Sequence, residues 1–369
     1  MGPFPHDAPP ATISADNPAG LDGFAFVEFA HPEPDELDRL FRTMGFEPVA
    51  RHRERRVTIW RQGRVDYLLD ADPGSHAGLF AAEHGPCASS MGWHVVDPEH
   101  ALRHAMAQGA EPVVSGRTAD WPAIRGIGGS LIYFVPRPGD GRHPYEGEFE
   151  WLEARNPEPA GAGLVYIDHL THNVHRGRMD VWADWYGRTF NFRQIRYFDI
   201  EGRITGLHSR AMTSPCGKIR IPINESADEK SQIEEYLKNY RGEGIQHIAC
   251  GCRDIYKCVE ALRQRGLAFM PPPPETYYEN VDERLPGHGE PLDRLRRSGI
   301  LIDGEAVAGG AETKVLLQIF SATVVGPIFF EFIERKGDEG FGEGNFRALF
   351  ESIEADQIRR GVLKPEAAE

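Results

Sequence analysis

GPIFFEFIER, residues 326–335, is the stretch on which the reading of the chain turns. It is short, apolar and rich in strand-favouring residues, with Glu331 in the middle of the apolar run. Side chains alternate across a strand. Phe329, Glu331 and Ile333 therefore share one face, and Phe330 and Phe332 share the other. A carboxylate among such neighbours is costly to bury alone. Either its face is open to water or it meets a positive group.

Two further stretches supply that group. In GLVYIDHLTHNV, residues 163–174, Val165, Ile167 and His169 share a face. In GIQHIACGC, residues 244–252, Ile245, His247 and Ala249 do the same. Both read as strands of a half-buried sheet. Two histidines and a carboxylate on three separated strands make a set that binds non-haem Fe(II) and leaves positions open. With 15 histidines and 56 acidic residues the triple alone is a weak signal. Its weight comes from where the three residues fall in the chain.

Outward from these strands the chain repeats itself. FAFVEFA (24–30) is a strand, followed by an amphipathic helix from Asp35 with the stripe Leu37, Leu40, Phe41 and Met44. VTIWRQG and VDYLLDA are strands. SMGWHVV, PEHALRHAMAQGA, EPVVSG and GSLIYFVPR repeat the strand, helix and strands. A Gly-, Pro- and charge-rich linker from Arg137 follows. The same order then returns twice, from LVYIDHLTHNV to GKIRIPINE and, after a connecting helix, from IQHIACGC to GPIFFEFIERK. In that last module a long Pro-rich loop separates the helix from KVLLQIFSAT. The fold class is α+β, with four βαβββ modules, two per half. Alignment of the halves sets Glu28 opposite His169, Tyr133 opposite Glu331, and Trp93 or His94 near the place of His247. The first half thus keeps the scaffold and lacks the triad. The expected divisions are a disordered Pro-rich lead-in at 1–22, a non-catalytic domain at 23–150 and a catalytic domain at 160–369.

Composition sets limits. A net charge of −15 argues against nucleic acid or an anionic membrane as partner. No run approaches the ~18 apolar residues of a membrane span. The N-terminus has neither the basic nor the apolar region of a secretory signal, so a cytoplasmic protein is expected. Five cysteines, an odd number, point to free thiols in a reducing compartment. Cys250, Cys252 and Cys258 do not have the spacing of a zinc knuckle.

IDHLTHNV, RYFDIEG, RIPINE, GEGIQH, LPGHGEP, LLQIFS, GPIFFEFIERKG and GFGEGNFRALFESIE together resemble the 4-hydroxyphenylpyruvate dioxygenases, enzymes of the vicinal-oxygen-chelate fold. The resemblance runs from Gly23 to Leu363. It implies two open-barrel domains, with catalytic Fe(II) in the C-terminal one held by His169, His247 and Glu331. His172 lies three residues on from His169, which turns it to the opposite face of a strand. The resemblance puts Gln246 and Gln318 near the metal. It turns Ser209, Asn224 and Gln232 to the substrate, the last two toward its phenol end. Phe320, Phe329, Phe341, Phe346 and Phe350 would form the aromatic wall. Gly340, Gly342 and Gly344 allow a sharp, mobile turn, Asn345 can cap the helix after it, and that helix would be a gate over the iron. The implied reaction converts 4-hydroxyphenylpyruvate and O2 to homogentisate and CO2 without a separate 2-oxoglutarate, in a homo-oligomer. Two other readings stay open: a 4-hydroxymandelate synthase acting on the same substrate, and a metal-free binding module of the same fold.

Overall fold

The computed structural model describes residues 8–139, 144–153, 156–201, 206–305, 313–342, 344–345, 357–358 and 360–361. The first half holds β1 (Leu21–Ala30), α1 (Pro34–Thr43), β2 (Glu47–His52), β3 (Val57–Gln62) and β4 (Val65–Asp70). After α2 (His76–His84) come β5 (Cys87–Val95), α3 (Pro98–Ala107), β6 (Pro112–Val113), β7 (Ala123–Arg125), β8 (Leu131–Pro136) and β9 (Phe149–Trp151). The second half holds β10 (Leu164–Val174), α4 (Met179–Phe190), β11 (Arg193–Glu201), β12 (Gly206–Thr213) and β13 (Arg220–Ser226). After α5 (Gln232–Tyr240) come β14 (Gly244–Cys252), α6 (Ile255–Gln264), α7 (Glu275–Glu279), α8 (Val281–Arg284) and α9 (Leu292–Ser298). The last strands are β15 (Leu301–Glu305), β16 (Lys314–Phe320) and β17 (Phe329–Lys336).

The strand order of the first sheet is β6-β7-β8-β5-β1-β4-β3-β2-β9. Read from its β15 edge, the second is β15-β16-β17-β14-β10-β13-β12-β11. Without β9 the two coincide strand for strand, as the four βαβββ modules require. Within a module the first strand runs parallel to the last, and the two modules of a half join antiparallel through β1–β5 or β10–β14. The second sheet curls until its edge strands approach. Arg196 on β11 lies 3.8 Å from Glu305 on β15.

Each sheet sends its outer face into one shared core. Phe330 faces Phe29 at 6.2 Å, Tyr67 Oη meets Cys250 Sγ at 3.1 Å, and the Trp93 ring lies 5.1 Å from Phe190. The odd-numbered Ile219, Ile221 and Ile223 and the even-numbered Phe330 and Phe332 belong to this core. Their alternate neighbours therefore line the inside of the second barrel. The inside of the first barrel is filled by its own apolar cluster, with Phe26, Trp121, Tyr133, Tyr145 and Phe149 in contact.

Three sequence expectations change. The described part of the lead-in is tied to the fold: Ala11 N–H donates to Asp22, the Asn17 side chain holds Leu21, and Ala19 and Leu21 are core. The long Pro-rich loop contains α7, α8, α9 and the edge strand β15. The halves also superpose differently. Tyr133 pairs with Gly92, as Glu331 pairs with Ala249. Following each ladder outward, Phe26 takes the place of His169, Ser90 that of His247, and Glu28 that of Thr171. Trp93 belongs to the outer core, and His94 pairs with Val135 as Gly251 pairs with Ile333, so neither stands for His247. The period-2 alignment missed this because both β1–β5 and β10–β14 carry bulges. All five cysteines are free thiols, and among the described residues no helix is long and apolar enough to cross a membrane.

Candidate metal centre

Ala249 on β14 pairs with His169 on one side and Glu331 on the other. His247 stands two residues along the same strand, on the same face. The three groups thus surround one small side chain, which leaves room for them to meet. Their ligand atoms lie within 4.8 Å of one another, and all three side chains are buried. Nε2 of His169 is 3.1 Å and Nε2 of His247 3.4 Å from the same atom, Glu331 Oε2.

Every other polar atom of the three residues is engaged elsewhere. His169 Nδ1 meets Asp168 Oδ1 at 2.8 Å. Asp168 in turn receives a two-pronged bond from Arg335, 2.8 Å on each arm. His247 Nδ1 faces Gln246 Oε1 at 3.1 Å. With the imidazole proton on Nδ1 in both rings, each Nε2 lone pair points to the common centre. Glu331 Oε1 accepts from Gln318 Nε2 at 2.8 Å. Gln318 also donates to the Phe341 carbonyl at 3.1 Å and accepts from Asn345 Nδ2 at 2.9 Å. Asn345 accepts from Tyr277 Oη at 2.6 Å.

The electrostatics follow. Burial pushes the Asp168 carboxyl up, and the Arg335 guanidinium overrides burial and holds it well below the usual range. Burial likewise opposes ionisation of Glu331, and His169 and His247 bring it down to about 2. Burial lowers both imidazoles. His169, between Glu331 and Asp168, ends above its ordinary value, while His247, with one carboxylate and a neighbouring imidazole, ends below.

The donor set fits a first-row divalent ion. Ligands at about 2.1 Å on adjacent octahedral positions stand about 3 Å apart, which is the N–O separation found here. Two imidazole nitrogens and one carboxylate oxygen suit iron(II), and one face of the ion is left for other ligands.

The remaining predicted residues are placed as follows. Ser209 and Asn224 pair across β12–β13 and lie on the barrel's inner face. Phe320, Phe329 and Phe341 are buried around the centre: Phe329 stacks on His247 at 4.8 Å, and Phe341 sets its ring against His169 at 5.3 Å. Gln232 lies in the first turn of α5, behind the cap made by Ser231 Oγ. With Gln246 and Phe329 it lines a cavity of about 660 Å³ that reaches His84 and Pro86 of the first half. Phe346, Phe350 and most of the expected gate helix lie outside the described residues. The Asn345 side chain binds Gln318 and Tyr277, and the helix it was expected to cap lies outside the described residues. His172 points away from the centre to the Leu170 carbonyl, and burial pushes its pKa down to about 4.

Sequence reading missed Asp168, Arg335 and Asn173. The first was signalled by an acid directly before a candidate ligand, and the second by a cation four residues after Glu331.

Comparison with known proteins agrees with this geometry. The family described as hydroxyphenylpyruvate dioxygenase, N-terminal, matches residues 15–150. The glyoxalase/bleomycin resistance protein/dioxygenase superfamily matches residues 166–284. A 4-hydroxyphenylpyruvate dioxygenase of Pseudomonas aeruginosa is 54% identical, over 96% of this chain and 99% of that protein. One from Legionella pneumophila is 51% identical, over 94% of this chain and 98% of that protein. The structure of a variant 4-hydroxymandelate synthase from Streptomyces coelicolor has a TM-score of 0.77 at 24% identity, over 91% of this chain and 99% of that one, which is a likeness of fold. Relatives more than half identical along nearly their whole length place this chain in the 4-hydroxyphenylpyruvate dioxygenase family, as an oxidoreductase of that kind.

Proposed function

We propose that the protein converts 4-hydroxyphenylpyruvate and O2 to homogentisate and CO2 on an Fe(II) ion held by His169, His247 and Glu331. One oxygen atom ends on the ring and the other in the new carboxylate, so atoms balance with no second 2-oxo acid. The observation that carries this is the convergence of two imidazole Nε2 atoms on one Glu331 oxygen. Bound iron(II) supplies O2 activation and a Lewis-acid seat for the 2-oxo acid.

The chain's own residues do the rest. Asp168 and Gln246 fix the imidazole tautomers, and Gln318 fixes the free arm of Glu331. Phe320, Phe329 and Phe341 wall the ring and keep water from it. Ser209 and Asn224 face the ring hydroxyl, and Gln232 and Gln246 stand on the cavity by which substrate enters. Phe346 and Phe350 would complete the wall from the C-terminal segment. The filled first barrel serves as scaffold, and the working form is a cytoplasmic homo-oligomer.

Relatives above half identity named as dioxygenases favour this reading over 4-hydroxymandelate synthesis. The test is chromatography of the products formed from 4-hydroxyphenylpyruvate in air with Fe(II) and ascorbate. Homogentisate is expected. 4-Hydroxymandelate would establish the alternative chemistry, and no turnover by iron-loaded protein would leave a binding module.

A further inference from the structure

Three polar side chains form a ladder across the inner face of the second barrel, on the side of β10 away from β14. Asn173 pairs with Asn224 across β10–β13, and Asn224 pairs with Ser209 across β12–β13. All three are buried, and Asn173 is 0% exposed. Asn224 Nδ2 donates to Asn173 Oδ1 at 3.4 Å. Among the described residues, Asn173 Nδ2 and Ser209 Oγ have no hydrogen-bond partner. Buried polar atoms left in that state are costly, and each calls for a partner that completes it.

We propose that Asn173 positions Asn224, so that this ladder accepts a ring that carries a hydroxyl and rejects one that does not. The inference rests on the proposed function and adds a residue to which that reading gives no part. His169 and Asn173 are four residues apart on one face of β10, about 13 Å along a strand. That span matches a 2-oxo acid seated at the centre with its ring reaching toward the ladder. By occupying Asn224 Nδ2, Asn173 leaves Asn224 Oδ1 as an acceptor for the ring hydroxyl proton. The free Nδ2 of Asn173 and the Ser209 hydroxyl are then donors for the hydroxyl's lone pairs. A ring bearing only hydrogen at that position satisfies none of these groups.

The test is anaerobic titration calorimetry of the iron-loaded protein with 4-hydroxyphenylpyruvate and with phenylpyruvate, which differs only by the hydroxyl. Without O2 the readout is binding, independent of turnover. The parent is expected to prefer the hydroxylated acid by tenfold or more. Asn173→Leu, close in volume, is expected to reduce that preference to threefold or less while phenylpyruvate affinity stays within threefold. If the variant melts before it can be titrated, Asn173→Ala gives the same comparison. Equal loss for both acids would make Asn173 a merely structural residue and overturn the proposal, as would an undiminished preference. A parent that binds neither acid would instead refute the function on which the proposal stands.

Discussion

At the scale of the residue, the centre is defined less by its three candidate ligands than by what stands behind them. His169, His247 and Glu331 were legible because each sits in an alternating strand, where period two assigns a face. Asp168 was not, and Gln246 was set near the metal only by the family resemblance, although each directly precedes a candidate ligand histidine. On a regular strand neighbours point to opposite faces, so neither could reach the imidazole beside it. The pairing of β10 with β14 shifts register between Ile167 and His169, and again between Thr171 and His172 opposite Ile245–His247. These bulges fall at the two residues that hold the rings, and no pattern of apolar residues announces them. Asp168→Asn tests this support. It keeps size and removes the charge that fixes the Nδ1 proton and answers the fully buried Arg335. Metal affinity is expected to fall about 10- to 100-fold in a chelator competition. Unchanged affinity would mean that Asp168 serves only to neutralise Arg335.

At the scale of the element, the segment after β17 is tied to the centre at several points. Arg335 donates to the carbonyls of Asp338 and Gly340, and Gln318 to that of Phe341. The same two side chains support His169, through Asp168, and Glu331. The glycines here suggested mobility, and the structure gives two of them a different reason. Gly342 has φ +75°, and a Cβ there would run into Gln318 Oε1; a Cβ at Gly344 would crowd Asp303 and Arg284. The close approach of backbone to Gln318 cannot be read from spacing, because it depends on a side chain 24 residues upstream. Gly342→Ala is therefore expected to displace Gln318 from Glu331 and lower kcat at least tenfold. The left-handed backbone and the clash should together cost about 1–3 kcal/mol of stability. Kinetics beside thermal melting decide the matter, and a variant that loses stability but keeps kcat would detach this segment from the chemistry.

At the scale of the molecule, a single module repeated four times has yielded one barrel that carries a candidate metal centre and one that is plugged by apolar side chains. The repeat was legible as strand and helix order, and so was the lack of a triad in the first half. What replaces the triad was not, since it depends on the bulged register. Phe26 fills the place of His169, and a side chain at Gly92 would collide with its ring. Glu28 remains in this plug as a buried acid, bonded by Ser89, Ser90 and Thr118. Burial, and then the charge of Asp70, push its carboxyl up to about 7 from an ordinary 4.5. Between those values the folded chain holds a proton that the unfolded chain has lost, so this group's contribution to stability falls as pH rises across that window. The slope is at most about 1.4 kcal/mol per pH unit. Glu28→Gln cannot titrate. Its unfolding midpoint in denaturant should gain on the parent's from pH 5 to pH 8, and parallel profiles would show that Glu28 is ionised throughout.

On this structure the second barrel alone would hold the metal, through two histidines and a glutamate on strands of its two modules. Anomalous diffraction at the iron absorption edge, from crystals soaked anaerobically in Fe(II), tests it most directly. One peak per chain is predicted, about 2.0–2.2 Å from His169 Nε2, His247 Nε2 and a Glu331 oxygen. A peak in the first barrel, or a peak elsewhere with these three side chains unliganded, would contradict it.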